Sequence, residues 1–229
     1  MKRILLISIL LLWGCDGTMQ NDLLPSSWDL GVSVLTKGEG EEFGPELFPL
    51  TAGDEWLYYA PGKHMLQTVT EDTERTNGVT STVVHREDGG NIYKHYLRVT
   101  NSLVQDFGSQ FNWWPVAIVR LHFPVKIGKK WSTGDRYANL HVDATAESIE
   151  TIDTAMGAYR CVKVHYYIRD NANQTKMHQW MWFAPGVGIV RWKHTLGYGM
   201  YKGPTETDWL VRHFTITGYE AERQGARLR

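Results

Sequence analysis

Nine histidines run from His64 to His213, and His141 has a carboxylate at strand spacing. His141 and Asp143 are two residues apart in an alternating segment, so a strand would set imidazole and carboxylate on one face. Both could then ligate a divalent cation, with His165 or His178 completing the set. The wet face of any half-buried strand gives the same pattern, so no metal and no cofactor is expected. Cys161 is the next candidate. The alternation of Tyr159 to Arg169 puts it beside Lys163 and His165, partly exposed, with no local base to turn the thiol into a nucleophile. There is no GxSxG elbow, GxxxxGK[ST] loop, HExxH or CxxC. No enzymatic activity is expected.

Aromatic side chains offer binding rather than catalysis. The chain has ten Trp, eleven Tyr and seven Phe, a load that needs large contact surfaces. Phe111 to Val119 is the most apolar stretch past the leader, and Pro115 within it argues against a central strand. It reads as a lid or pocket wall, or else as a core plug. A concave sheet lined by Trp113, Trp114, Phe123, Trp180 and Trp182 would suit an acyl chain, an apolar peptide or a sugar face.

The first residues carry a different chemistry. Lys2 and Arg3 precede an apolar run from Ile4 to Trp13 that contains one polar residue, Ser8. That order is a secretory leader, and the run falls well short of the roughly 20 apolar residues that span a bilayer. Leu12-Trp13-Gly14-Cys15 resembles the lipobox of bacterial lipoproteins, with Trp13 as the departure. The resemblance implies thioether lipidation of Cys15, cleavage after Gly14 and a mature chain beginning at Cys15. Two or three acyl chains, palmitate among them, anchor far more firmly than one. Asp16 stands where aspartate resembles the inner-membrane signal of enteric bacteria, a rule that is not general, so inner versus outer membrane stays open.

Loss of the leader removes Lys2 and Arg3, so 24 basic against 25 acidic residues becomes 22 against 25. A formal charge of −3 leaves no basic field for nucleic acid. With Cys15 lipidated, Cys161 has no partner for a disulfide. The reading divides the chain into a signal peptide (1–14), the lipidated cysteine and a Gly- and Glu-interrupted tether (15–46), one β domain (47–220) and a polar tail (221–229). A flexible tether of that length reaches about 30 Å.

Beyond it, period two dominates. Leu140, Val142, Ala144 and Ala146 alternate with His141, Asp143, Thr145 and Glu147, and Val162, Val164, Tyr166 and Ile168 alternate with Cys161, Lys163, His165, Tyr167 and Arg169. Similar runs occupy Glu55 to Ala60, Met65 to Arg75, Thr80 to Arg86, Ile92 to Thr100, Lys176 to Ala184, Gly188 to Thr195 and Asp208 to Tyr219. Turn formers such as Asn77-Gly78 and Asp88-Gly89-Gly90-Asn91 separate them. These predict a mainly β fold, an antiparallel meander forming a strongly curved sheet or open half-barrel, with a two-sheet β-sandwich as the alternative.

One phrase occurs twice. Phe48-Pro49, four residues, Gly53 and then Trp56 returns as Phe123-Pro124, four residues, Gly128 and Trp131. Proline fixes a turn, glycine takes a positive φ, and tryptophan opens the next strand; both rings are expected in the core. Together with MGAYRCVKV and WMWFAPGVGIVRW, these elements resemble a broad group of uncharacterised bacterial envelope lipoproteins over about Phe48 to Trp192. The group resembles half-barrel carrier-type proteins, which implies the fold and the envelope location and attaches no activity or ligand. Three readings follow: a noncatalytic lipoprotein, facing the periplasm or the cell exterior, that binds an apolar ligand or protein partner; an assembly-accessory lipoprotein docking a larger complex; and, last, a hydrolase or metal enzyme.

Overall fold

The structure, a computed structural model, describes residues 33–35, 40–76, 78–134, 140–171, 175–197 and 205–217. Cys15, the lipobox and most of the tether lie outside the described residues. Thirteen strands follow in chain order: β1 (Ser33–Leu35), β2 (Glu55–Ala60), β3 (Lys63–Thr76), β4 (Val79–Asp88), β5 (Asn91–Val99), β6 (Leu103–Ser109) and β7 (Asn112–His122), then β8 (Lys130–Thr133), β9 (Leu140–Thr154), β10 (Gly157–Asp170), β11 (Thr175–Ala184), β12 (Gly188–Gly197) and β13 (Thr205–Thr215).

All pairings are antiparallel, and the sheet runs β1-β9-β10-β11-β12-β13-β2-β3-β4-β5-β6-β7, with β8 also on β9. Each alternating strand has one apolar face, and the sheet buries it by curling into a nearly closed barrel. Tight turns make this meander. Gly89 and Gly90, at φ of 57° and 81°, link β4 to β5 in the two-residue form whose twist suits a hairpin.

Closure fails at one seam, between β7 and β8. There the Trp131 indole donates to Val119 O at 3.0 Å, and Val119 N–H donates to Thr133 Oγ1 at 2.8 Å. Tyr166 on β10 donates across to Arg120 O at 2.6 Å. Side chains do at the seam what a backbone ladder does elsewhere.

The interior holds Val142, Ala144, Ala146, Val162, Val164 and Tyr166, the faces that alternation predicts. Phe43 bridges Val125, and Leu47, in a short 3-10 turn at Pro45–Leu47, is fully buried. Packing therefore begins ahead of residue 47. Glu46 O accepts from Gly186 N–H at 2.7 Å, which ties this segment to the β11–β12 turn and closes that end of the barrel.

A second buried cluster corrects one expectation. Cys161 is 1% exposed rather than partly exposed, and burial pushes its thiol pKa up. The cause is the length of β9 and β10, 15 and 14 residues. Their hairpin end reaches β13, where Tyr159 meets Phe214 edge-on at 5.8 Å, and Cys161 is enclosed with Ile152 and Trp182. The segment from Phe111 to Val119 lies mostly in β7, an edge strand of the sheet.

Candidate functional site

Eight strands contribute side chains to a cavity of about 250 Å3 inside the barrel. Its polar end is built by a bulge. Between Val104 and Gln105 the β6–β7 register shifts, so Arg120 has no partner opposite and is aimed inward. Its Nε and Nη2 donate to Asp106 Oδ2 at 3.1 and 2.7 Å, and Nη1 donates to Gln179 Oε1 at 2.9 Å. Gly108 N–H adds a bond to Asp106 Oδ1 at 2.7 Å. Burial alone would raise the Asp106 carboxyl, but Arg120, His95 and the Gly108 amide hold it below the usual carboxylate value. Asp106 is thus an anion that already accepts three hydrogen bonds.

Arg86 stands differently. Turning the Gln67 amide so that its oxygen faces the guanidinium gives contacts of 2.8 and 3.2 Å, and the guanidinium lies 5.1 Å from the Trp192 ring centre. Among the described residues it has no ion-pair partner. By surface area it is half-buried, yet it sits deep enough that burial is the largest influence on it, lowering its pKa while Asp106 opposes and Arg120 adds. An arginine so placed still keeps its charge at neutral pH. Next to it, burial and then the Arg86 charge push His95 down to about 4, so this imidazole is neutral at pH 7. Phe48, Met177, Met181 and Ile189 form the apolar wall. Trp114 and Trp192 also line the cavity, and neither buried indole N–H has an acceptor among the described residues.

The cavity's arginines cannot exchange protons, its carboxylate accepts three hydrogen bonds, and the one hydroxyl among the described lining residues, that of Tyr58, donates to Ile189 O at 2.9 Å.

Of the five aromatic residues singled out from sequence, Trp114 lines this cavity. Trp113 lies on β7 opposite Gly108, and its side chain lies outside the described portion. Phe123 is buried in the barrel core. Trp180 and Trp182 occupy the opposite face of β11 from Gln179 and Met181. Trp180 stacks on His165 at 4.9 Å, and the Trp182 indole donates to Glu150 Oε2 at 2.6 Å. The histidines also separate. His141 Nε2 is 3.0 Å from Asp143 Oδ1, whereas His165 and His178 stack on each other, and no three metal-ligating side chains converge among the described residues.

Sequence reasoning missed Arg86, His95, Asp106, Arg120 and Trp192. Parity could have found three of them: Arg86 shares its face with Val84, His95 with Leu97, and Asp106 with Val104. A charged residue at an inward position is the signal.

A larger groove of about 420 Å3 lies outside, lined by Tyr59, Pro61, Ala155 and Leu210. Its Arg191 and Asp208 bind each other, Nε to Oδ1 at 3.0 Å, so it offers mainly apolar contact.

Residues 128–194, from the turn before β8 into β12, match a family model described as DUF3108-like. No curated protein matches the chain. A Bacteroides fragilis protein described as exported and of YmcC-like fold superposes with a TM-score of 0.46 at 15% identity, covering 76% of this chain and 100% of that one. A Parabacteroides distasonis protein described as a lipoprotein gives 0.37 at 14% identity, covering 77% and 100%.

Proposed function

We propose that this chain is a noncatalytic lipoprotein of the bacterial cell envelope, tethered through Cys15, whose barrel holds a small apolar or amphiphilic ligand. The observation that carries the binding reading is the interior cavity, with an apolar wall on one side and fixed recognition groups on the other. Concave sites of this composition are the ordinary form of small-molecule pockets. The tether reading rests on Lys2, Arg3, the apolar run and the Leu12-Trp13-Gly14-Cys15 sequence.

Two measurements test it. Native mass spectrometry with organic extraction of protein from its own host should release a bound small molecule; a protein that is empty in every preparation removes the binding reading. Labelling with a fatty-acid analogue should mark the chain and fail in Cys15→Ala, and unchanged incorporation removes the tether.

One observation favours docking to a larger assembly. Phe111 is 73% exposed at the β6–β7 turn, and Val116 is 51% exposed on the edge strand β7. If docking is the role, Phe111→Ser abolishes co-purification with an envelope complex and leaves stability unchanged.

A further inference from the structure

Resting on the reading of the barrel as a ligand holder, we propose that its ligand is a single-tailed monocarboxylate, its head seated on Arg86 and on the Trp114 and Trp192 indole N–H groups.

Three features of the cavity converge on this class. The first is charge. Among the described lining residues Arg86 and Arg120 are cations, Asp106 is the one carboxylate, and His95 is neutral, which leaves a net charge of +1. Asp106 is hydrogen-bonded by Arg120 and the Gly108 amide and not by Arg86, so its charge reaches Arg86 only through space. Asp88, on β4 like Arg86, acts on it only as the weakest of the charges around it. An unpaired cation this deep is unfavourable until an anion meets it.

The second feature is a surplus of donors. A guanidinium carries five N–H groups, and Gln67 accepts from two atoms of the Arg86 fork. The indole N–H groups of Trp114 and Trp192 add two donors without acceptors among the described residues. Against them the cavity sets few acceptors: Gln179 Oε1 and Asp106 already accept from Arg120, and neutral His95 supplies one ring nitrogen. A ligand of acceptors completes such a set; an ammonium adds a third cation, and an alcohol leaves the charge unanswered. A planar carboxylate fits the arginine fork, whereas a phosphate monoester brings about two negative charges to a site with one to spare.

The third feature is the wall. Phe48, Met177, Met181 and Ile189 face the polar end, and thioether side chains adapt to a flexible tail. At about 30 Å3 of liquid per water, the cavity takes on the order of eight non-hydrogen atoms, the scale of one short acyl chain and not of a phospholipid.

The test uses three probes that share one tail: sodium octanoate, octanol and octylammonium chloride. They are titrated into the purified protein, followed by tryptophan fluorescence and by the indole N–H resonances. Octanoate should saturate the protein at least about tenfold more tightly than octanol, in line with a charge-assisted contact, and shift the Trp114 and Trp192 signals. Octylammonium should not bind. Arg86→Gln should cut the octanoate advantage to about twofold or less, and Arg191→Gln, in the outer groove, should leave it intact. Octanol binding as tightly as octanoate, octylammonium binding more tightly, or octanoate shifting neither indole overturns the carboxylate assignment while an apolar-ligand role survives. Failure of all three probes overturns both. The comparison of probes in the unaltered protein decides the matter even if Arg86→Gln does not fold, and Arg86→Lys, which keeps the charge and loses the fork, should retain part of the advantage.

Discussion

The barrel has two halves, β2–β7 and β8–β13, and each begins with the same phrase and the same turn. Asp54 N–H donates to Thr51 O at 2.9 Å, as Lys129 N–H does to Lys126 O at 3.0 Å. Gly53 N–H donates to Val69 O and Gly128 N–H to Ala146 O; Val69 and Ala146 donate back to Asp54 O and Lys129 O. Gly53 and Gly128 stand at φ of 91° and 87°. After this near-identity the halves part. Trp56 opens a central strand between β13 and β3, is 5% exposed, and donates to Val187 O at 2.6 Å. Trp131 opens β8 beside the seam and stays half-buried, against the expectation that both rings are core anchors. A local motif sets the turn; what lies on the far side of the strand sets the burial. The halves also divide the interior, with Arg86, His95, Asp106 and Arg120 supplied by β4–β7 and Met177, Gln179, Met181 and Ile189 by β11–β12.

Unequal burial predicts unequal losses. Trp56→Ala should destabilise by about 3 to 5 kcal/mol, read from the denaturant midpoint of the purified protein. An equal loss at Trp131 would break the contrast. The charged side of the cavity predicts a pH effect that its apolar wall lacks. His95 is held near 4 when folded against an ordinary 6.5 when unfolded, so the unfolded chain takes up its proton first as pH falls. Its contribution is complete above about pH 6.5 and is lost as pH drops toward 4, on the order of 3 kcal/mol in all. His95→Asn should flatten the slope between those values, and an unchanged slope would remove His95 from the account. Trp131→Ala should lose about 1 to 2 kcal/mol, the share of a half-buried ring with one side-chain hydrogen bond. Smallest is the glycine pair: alanine at either positive φ should lose about 1 kcal/mol. Gly53→Ala should lose the more, because its Cβ would stand 3.1 Å from Thr217 Oγ1, while Gly128 has open space.

Strands with clean alternation were legible in the sequence, and those around the seam were not. Glu55–Ala60 is β2 residue for residue, and the runs from Leu140 and Arg160 lie within β9 and β10. β6 and β7 escaped because bulges break their period: Arg120 has no partner opposite, and Pro115 lies in a stretch of β7 where three β6 positions face six on β7. The site was legible in part for a related reason. Aromatic weight pointed to Trp114 but also to Trp180 and Trp182, since the β9–β10 hairpin makes part of the outer face an interior too. Arg86, His95 and Asp106 passed as solvent-facing residues of alternating strands, although the side chains sharing their parity are buried or line the cavity.

The seam bears on how long the barrel stays shut. Inside the sheet, an amide such as that of Val164 is released only when neighbouring rungs part with it, an event near global unfolding. Val119 instead lends its amide to the Thr133 hydroxyl and its carbonyl to the Trp131 indole, and rotation of those two side chains about χ1 frees both. Deuterium should therefore enter at Val119 long before it enters at Val164, and the lifetime of the closed state would be set by the rotamers of Trp131, Thr133 and Tyr166 rather than by a ladder.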